Sequence, residues 1–141
     1  MTTLPKLKYR NGDNIETLLG LSGELLLSGS YYMHGGQSFT LAKSVYEFQT
    51  GLVFVWSFYN GQAQDYWYQC HLVPREDIRT HYGTGHVFVL ATALFEYVAT
   101  KYIYIGDQEI TGHDNNTMTG TAASGIKYAN NAFVLREVWG V

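Results

Sequence analysis

Leu52-Val53-Phe54-Val55-Trp56-Ser57-Phe58-Tyr59 runs between Gly51 and the pair Asn60-Gly61. Seven of these eight residues are apolar or aromatic and none is charged. β-Branched and aromatic side chains fit a pleated surface, and glycines punctuate strand ends. A run this short is not a typical core helix. It does not alternate, so both of its faces need cover. The segment reads as a central strand with the core on one side and a second layer, or another subunit, on the other.

Outward from this strand, Asn60-Gly61 is a hairpin signal. Residues 65–73, Asp-Tyr-Trp-Tyr-Gln-Cys-His-Leu-Val, read as the returning strand, stopped by Pro74. Along such a strand Tyr66 and Tyr68 share one face and Trp67 takes the other. Upstream, residues 25–33 are strand-like as far as His34-Gly35-Gly36. Residues 37–41 alternate, with Phe39 and Leu41 on one face, and residues 45–48 can continue them. Downstream, the charge cluster at 75–79 reads as a solvated loop or a single turn. Residues 86–93, 101–105 and 109–111 read as strands. Residues 112–124 hold no large apolar residue except Met118 and read as an exposed loop, and loops of that length are usually functional or mobile. Residues 126–128 and 133–141 read as a closing hairpin about Asn130-Asn131.

Short strands, turn signals about every 8–12 residues and little helix predict one all-β domain over residues 24–141, an antiparallel, jelly-roll-like β-sandwich. Residues 1–23 differ. Leu4, Leu7, Ile15, Leu18, Leu19 and Leu21 are spread among Lys6, Lys8, Arg10, Asp13 and Glu16. This segment reads as an N-terminal arm that anchors on something else, such as a neighbouring chain.

Composition excludes several classes of function. The net charge is −3 and there is no basic block, so the footprint of a nucleic-acid binder is missing. No apolar run approaches the ~20 residues that span a membrane, and the N-terminus lacks the apolar core of a signal peptide. The single Cys70 cannot form an internal disulfide; within its aromatic run it reads as a buried, inert thiol made in a reducing cytosol. Charged residues are only 15% of the chain, whereas 12 tyrosines help raise the aromatic share to 16%. That balance suits extended interfaces or sugar-facing surfaces, because tyrosine gives rigid contact area with a polar tip.

Two residue sets are candidates for ligand contact. His113-Asp114-Asn115-Asn116 brings together an imidazole, a carboxylate and two amides. A calcium loop wants more carboxylates than Asp114 supplies, which leaves carbohydrate contact or a turn whose side chains cap their own backbone. Tyr66, Trp67 and Tyr68 can present stacked aromatics to a sugar ring, or be covered on both faces. His81 and His86 flank Gly83-Thr84-Gly85, but their spacing does not put both on one face, and no zinc-protease or phosphate-loop pattern surrounds them. The acids are scattered rather than paired as in a glycosidase, and no GxSxG elbow occurs. These patterns point to binding without catalysis, metal or cofactor. Arg136 and Glu137 are adjacent in mid-strand, so alternation turns one of them towards packed surface. That fits an edge strand, or a charge pairing across a subunit interface.

Several stretches resemble a C-terminal domain found in tail, baseplate and fibre structural proteins of phages and prophages of Gram-positive bacteria. They include Ser28-Gly29-Ser30-Tyr31-Tyr32-Met33, Gly51-Leu52-Val53-Phe54-Val55-Trp56-Ser57, Val73-Pro74, Gly83-Thr84-Gly85-His86 and Tyr102-Ile103-Tyr104-Ile105. The most specific are Ile110-Thr111-Gly112-His113-Asp114-Asn115-Asn116 and Gly125-Ile126-Lys127-Tyr128-Ala129-Asn130-Asn131 running into Phe133-Val134-Leu135-Arg136. The resemblance implies a β-sandwich tip module of the virion, often a homotrimer, that contacts cell-wall or surface glycan, with no catalytic residues to carry over. Such a domain usually ends a longer polypeptide. Here about two dozen residues precede it, so residues 1–23 are expected to dock on other virion proteins. A capsid-decoration or head-fibre role is the alternative, and a glycan depolymerase a third.

Overall fold

A computed structural model describes residues 23–92 and 96–141 of the chain. The predicted arm therefore lies outside the described residues, except for Gly23. Among those residues the strands are β1 (Glu24–Tyr31), β2 (Ser38–Thr40), β3 (Gly51–Phe58), β4 (Gln69–Pro74), β5 (Thr84–Leu90), β6 (Ala99–Ile105), β7 (Glu109–Thr111), β8 (Thr119–Thr121), β9 (Lys127–Ala129) and β10 (Phe133–Gly140). One helix, α1 (Arg75–Thr80), links β4 to β5.

The strands form two four-stranded antiparallel sheets, in the orders β1-β10-β3-β4 and β2-β7-β6-β5, and a small ribbon, β8-β9. This is the expected all-β sandwich. Its last long strand returns between β1 and β3, so the fold closes only when both ends of the domain are in place. The inner face of β3 carries Leu52, Phe54, Trp56 and Phe58, all buried. From the opposite sheet Phe88 meets Phe54 and Trp56 at ring separations of 5.0 and 5.5 Å. Ile103, Ile105 and Ile110 complete that layer. Each such side chain contributes about 1.5–3 kcal/mol by leaving water.

Side chains of β4 close one open flank of the sandwich. Gln69 exchanges two hydrogen bonds with the backbone of Ala91, at 3.0 and 2.6 Å. His71 Nε2 donates to the carbonyl of Val89 at 3.1 Å. The free edge of β5 is thereby capped rather than left as a template for another strand.

The outer face of β3 is covered in two ways. Towards Phe58, Ser57 is buried beneath Arg136, whose Nη1 donates to Ser57 Oγ and to the carbonyl of Gln64, both at 2.9 Å. Towards Gly51, the cross-strand row Leu25, Trp139, Val53 and Leu72 spans all four strands of that sheet. Leu25 and Leu72 in this row are exposed.

Several local expectations are corrected. A register shift between Leu135 and Glu137 breaks the alternation of β10. Arg136 bonds to outward-facing Ser57, and Glu137 accepts from the indole of outward-facing Trp139 at 3.0 Å. Both charges therefore lie on the outer face, on an interior strand, and Arg136 finds its partner, Asp65, within the chain at 2.9 Å. Residues 65–68 are not strand, because Trp67 adopts a left-handed backbone (φ 57°); β4 begins only at Gln69. The charge cluster is helix α1, with Ile78 buried beneath it. Val45–Glu47 is a 3-10 turn capped by Ser44 rather than a strand continuation. The strand predicted over 86–93 stops at Leu90. The long loop contains a 3-10 turn, Asp114–Thr117, and strand β8. β9 pairs with β8, so the closing hairpin with β10 does not form. Cys70 is exposed, because it lies on the outer face of edge strand β4.

Candidate functional site

At one end of the sandwich β1 and β3 finish while β6 and β10 begin. The chain segments that meet there enclose a groove of ≈ 670 Å³. Four tyrosines from four separate segments line it: Tyr32 after β1, Tyr59 after β3, Tyr97 before β6 and Tyr128 on β9. Asn60, Asn131, Thr119 and Thr121 add amides and hydroxyls, and Lys127 adds one charge. Tyr32 and Tyr59 meet edge to face at 4.8 Å. Burial, helped by the Tyr59 hydroxyl, pushes the Tyr32 phenol up to about 12, so it keeps its proton.

The groove is built on an unusual buried frame. Lys101, on the inner face of β6, is 1% exposed. Its ammonium donates to the carbonyls of Tyr32 (3.1 Å) and Asn116 (2.9 Å) and lies 5.7 Å from the Tyr32 ring. Burial pushes its pKa down to about 7. Asn130 is buried beside it; its Oδ1 accepts from Thr100 N–H at 2.9 Å and its Nδ2 donates to the Asn115 carbonyl at 2.8 Å. The β8-β9 ribbon is fastened through Val98, which donates to the Lys127 carbonyl at 3.0 Å and accepts from Ala129 N–H at 2.9 Å.

The residues singled out from the sequence fall around this groove without lining it. Tyr66 and Tyr68 are exposed; Trp67 packs at 4.5 Å on the ring of Phe58, a residue that does line the groove. The Tyr68 ring lies 5.8 Å from the Arg136 guanidinium, and its hydroxyl donates to Asp65 at 3.3 Å. The Arg136 guanidinium holds the Asp65 carboxyl below the usual carboxylate range. His113 sits on the outer face of the other sheet, 4.8 Å from the Tyr102 ring. Asp114 accepts from Gly35 N–H at 3.2 Å, and Asn115 N–H donates to His113 Nδ1 at 3.1 Å. Asn116 is fully buried. Its amide brackets Tyr102 like a neighbouring strand, accepting from its N–H at 2.7 Å and donating to its carbonyl at 2.8 Å, with a further bond to the Met33 carbonyl at 2.6 Å. The two predicted sets thus belong to opposite faces of the sandwich.

The four groove tyrosines and Lys101 were not singled out from the sequence. A signal existed: Tyr32, Tyr59 and Tyr128 each stand within three residues of a Gly or Asn turn pair. His81 and His86, which spacing had kept apart, both reach Asp77, at 2.8 and 2.7 Å, because α1 delivers that carboxylate between them. Burial pushes the Asp77 carboxyl up, but the two imidazole hydrogen bonds outweigh it and hold it below its ordinary value. Among the described residues no three His, Cys, Asp or Glu side chains are arranged to hold a metal ion. Nor does any described helix have the length and apolarity to cross a membrane.

No protein-family model matches the chain, and neither does any curated protein.

Proposed function

We propose that this chain is a virion structural protein of a tailed phage, a tail-tip or baseplate adhesin that takes host-surface carbohydrate into the end groove. The reading rests on the resemblance of stretches from about Leu25 to the end of the chain to phage tip modules and on one observation above all. Four tyrosines with flanking amides and hydroxyls converge on a single groove. Sugar rings offer an apolar C–H face and a rim of hydroxyls, so a site for them wants aromatic planes edged by hydrogen-bonding groups. A groove this open and polar makes each contact weak. Repetition in a homotrimer, and again around a virion, turns weak sites into firm attachment by raising the effective concentration. The chain acts here as a binder rather than a depolymerase.

The apolar row Leu25, Trp139, Val53 and Leu72, exposed at both ends, supports a second reading, capsid decoration. An apolar stripe across a whole sheet suits packing on another virion protein. Binding of Gram-positive cell-wall polysaccharides to wild-type protein and to Tyr59→Ala/Tyr128→Ala tests the first reading. Loss of binding in the double variant supports the adhesin. Absence of any glycan binding, with the protein located on the capsid of intact particles, supports decoration. Release of soluble sugar replaces both with an enzyme.

A further inference from the structure

The chain carries 12 acidic and 9 basic residues, yet among the described residues no aspartate or glutamate lines the end groove. Among those residues Lys127 is the one lysine or arginine that does, and none of their salt bridges engages it. Glu96 lines an adjoining hollow with Lys127 but forms no ion pair with it. The position of Lys127 is fixed by register: it faces Thr121 across the ribbon, and its own carbonyl is held by Val98 at 3.0 Å. Asn60 adds a second donor. Gln64 Nε2 donates to Asn60 Oδ1 at 2.6 Å, which fixes the orientation of an amide in the groove lining that carries NH2 donors. Behind this wall the Lys101 ammonium is 5.7 Å from the Tyr32 ring, with backbone carbonyls as its hydrogen-bond acceptors. The groove thus combines aromatic planes, hydrogen-bond donors and positive charge, and among the described residues its own lining holds no carboxylate, Glu96 lying in the adjoining hollow.

We infer that the groove selects a glycan carrying an anionic substituent, a carboxylate or a phosphate, and that Lys127 is the residue that reads it. This rests on the carbohydrate-binding reading above and narrows its ligand. A charged partner strengthens a hydrogen bond and gives discrimination against ligands that lack it.

The test is calorimetric titration of the full chain with three probes of matched length: an oligogalacturonate, a glycerol-phosphate oligomer and a neutral oligogalactan. Wild-type protein is expected to bind one of the two anionic probes at least about tenfold more tightly than the neutral one, the size of one charge-assisted hydrogen bond. Which anionic probe wins identifies the source of the charge. Lys127→Ala should abolish the preference, lowering affinity for the favoured anionic probe at least about tenfold, and Lys127→Arg should retain it. Lys127 is exposed, so neither change threatens folding. Equal binding of all three probes, or a preference that survives Lys127→Ala, overturns the inference and leaves the adhesin reading intact. Binding of none overturns both.

Discussion

The Lys101 ammonium and the Tyr32 carbonyl are 3.1 Å apart inside the sandwich, and the same ammonium lies 5.7 Å from the Tyr32 ring. A buried lysine thereby fixes one wall of the groove. Its hydrogen bonds run to backbone carbonyls, and among the described residues no carboxylate pairs with it.

Stability should therefore depend on pH in a defined direction. Unfolding restores Lys101 from about 7 to its ordinary 10.5. Between those values the unfolded chain binds more protons, so stability rises with pH across that window, by as much as about 1.4 kcal/mol per pH unit. Below pH 7 both states are charged and the full burial penalty is present. Tyr32 acts oppositely above pH 10, because its folded value of about 12 means that the folded state holds the extra proton there. Urea denaturation from pH 6 to 10 should show the rise, and Lys101→Met should flatten it. An equal slope in the variant would contradict this assignment.

Asn116 is expected to matter for stability far more than its neighbours in the same loop. Asn116→Ala strips the partners from both backbone groups of Tyr102, while the Met33 carbonyl keeps the His113 N–H at 2.9 Å. At about 1–3 kcal/mol for each buried group left unpaired, the loss should reach about 3 kcal/mol or more. Asn116→Asp should be worse, because it turns an acceptor towards two carbonyls. Asn115→Ala, an exposed side chain, should change the urea midpoint little. Comparable effects at 115 and 116 would refute the bracket.

Arg136 and Asp65 form an ion pair, yet their removal should not be symmetrical. Asp65→Ala removes an exposed partner and should barely alter stability. Arg136→Ala also strips Ser57, the Gln64 carbonyl and the Gly29 carbonyl of a donor, and should cost about 2–3 kcal/mol. Arg136→Lys should not rescue it, since an ammonium lacks the fork that serves these acceptors together. A double-mutant cycle by chemical denaturation measures the difference.

Much of the fold was legible because its signals are local. The unbroken run at 52–59 demands two covered faces, and β3 is interior, with one face in the core and the other partly roofed by Arg136. Glu109–Thr111 was read residue for residue, since Gly106-Asp107 and Gly112 bracket it. What escaped depends on partners distant in sequence. Alternation cannot foresee the register shift that turns Arg136 and Glu137 to one face. Neither can it foresee the left-handed Trp67 that delays β4. Cys70 sits in an aromatic run, but its exposure follows from β4 being an edge. The groove escaped for the same reason. Tyr32 and Tyr59 follow strands that flank β10, and Tyr97 and Tyr128 come to the same end through the pairing of Val98 with β9. Asn116 belonged to a polar loop by composition, and only the fold reveals its amide as part of a sheet.

Gly112 gives an independent check on that loop. A Cβ at this position would land on the Met33 carbonyl, a backbone group that cannot step aside. Gly112→Ala should therefore cost at least the upper end of the about 1–3 kcal/mol typical of overpacking. Gly125→Ala meets no neighbour, and only its positive φ opposes the change, so it should be milder. Thermal melts of the two variants decide the point.

The most direct measurement is a structure of the protein with a bound cell-wall oligosaccharide. The account predicts a sugar ring seated in the end groove, in contact with Tyr59 and Tyr128, with Lys127 at its rim. A sugar bound on the outer face of either sheet, with the groove empty, would contradict it.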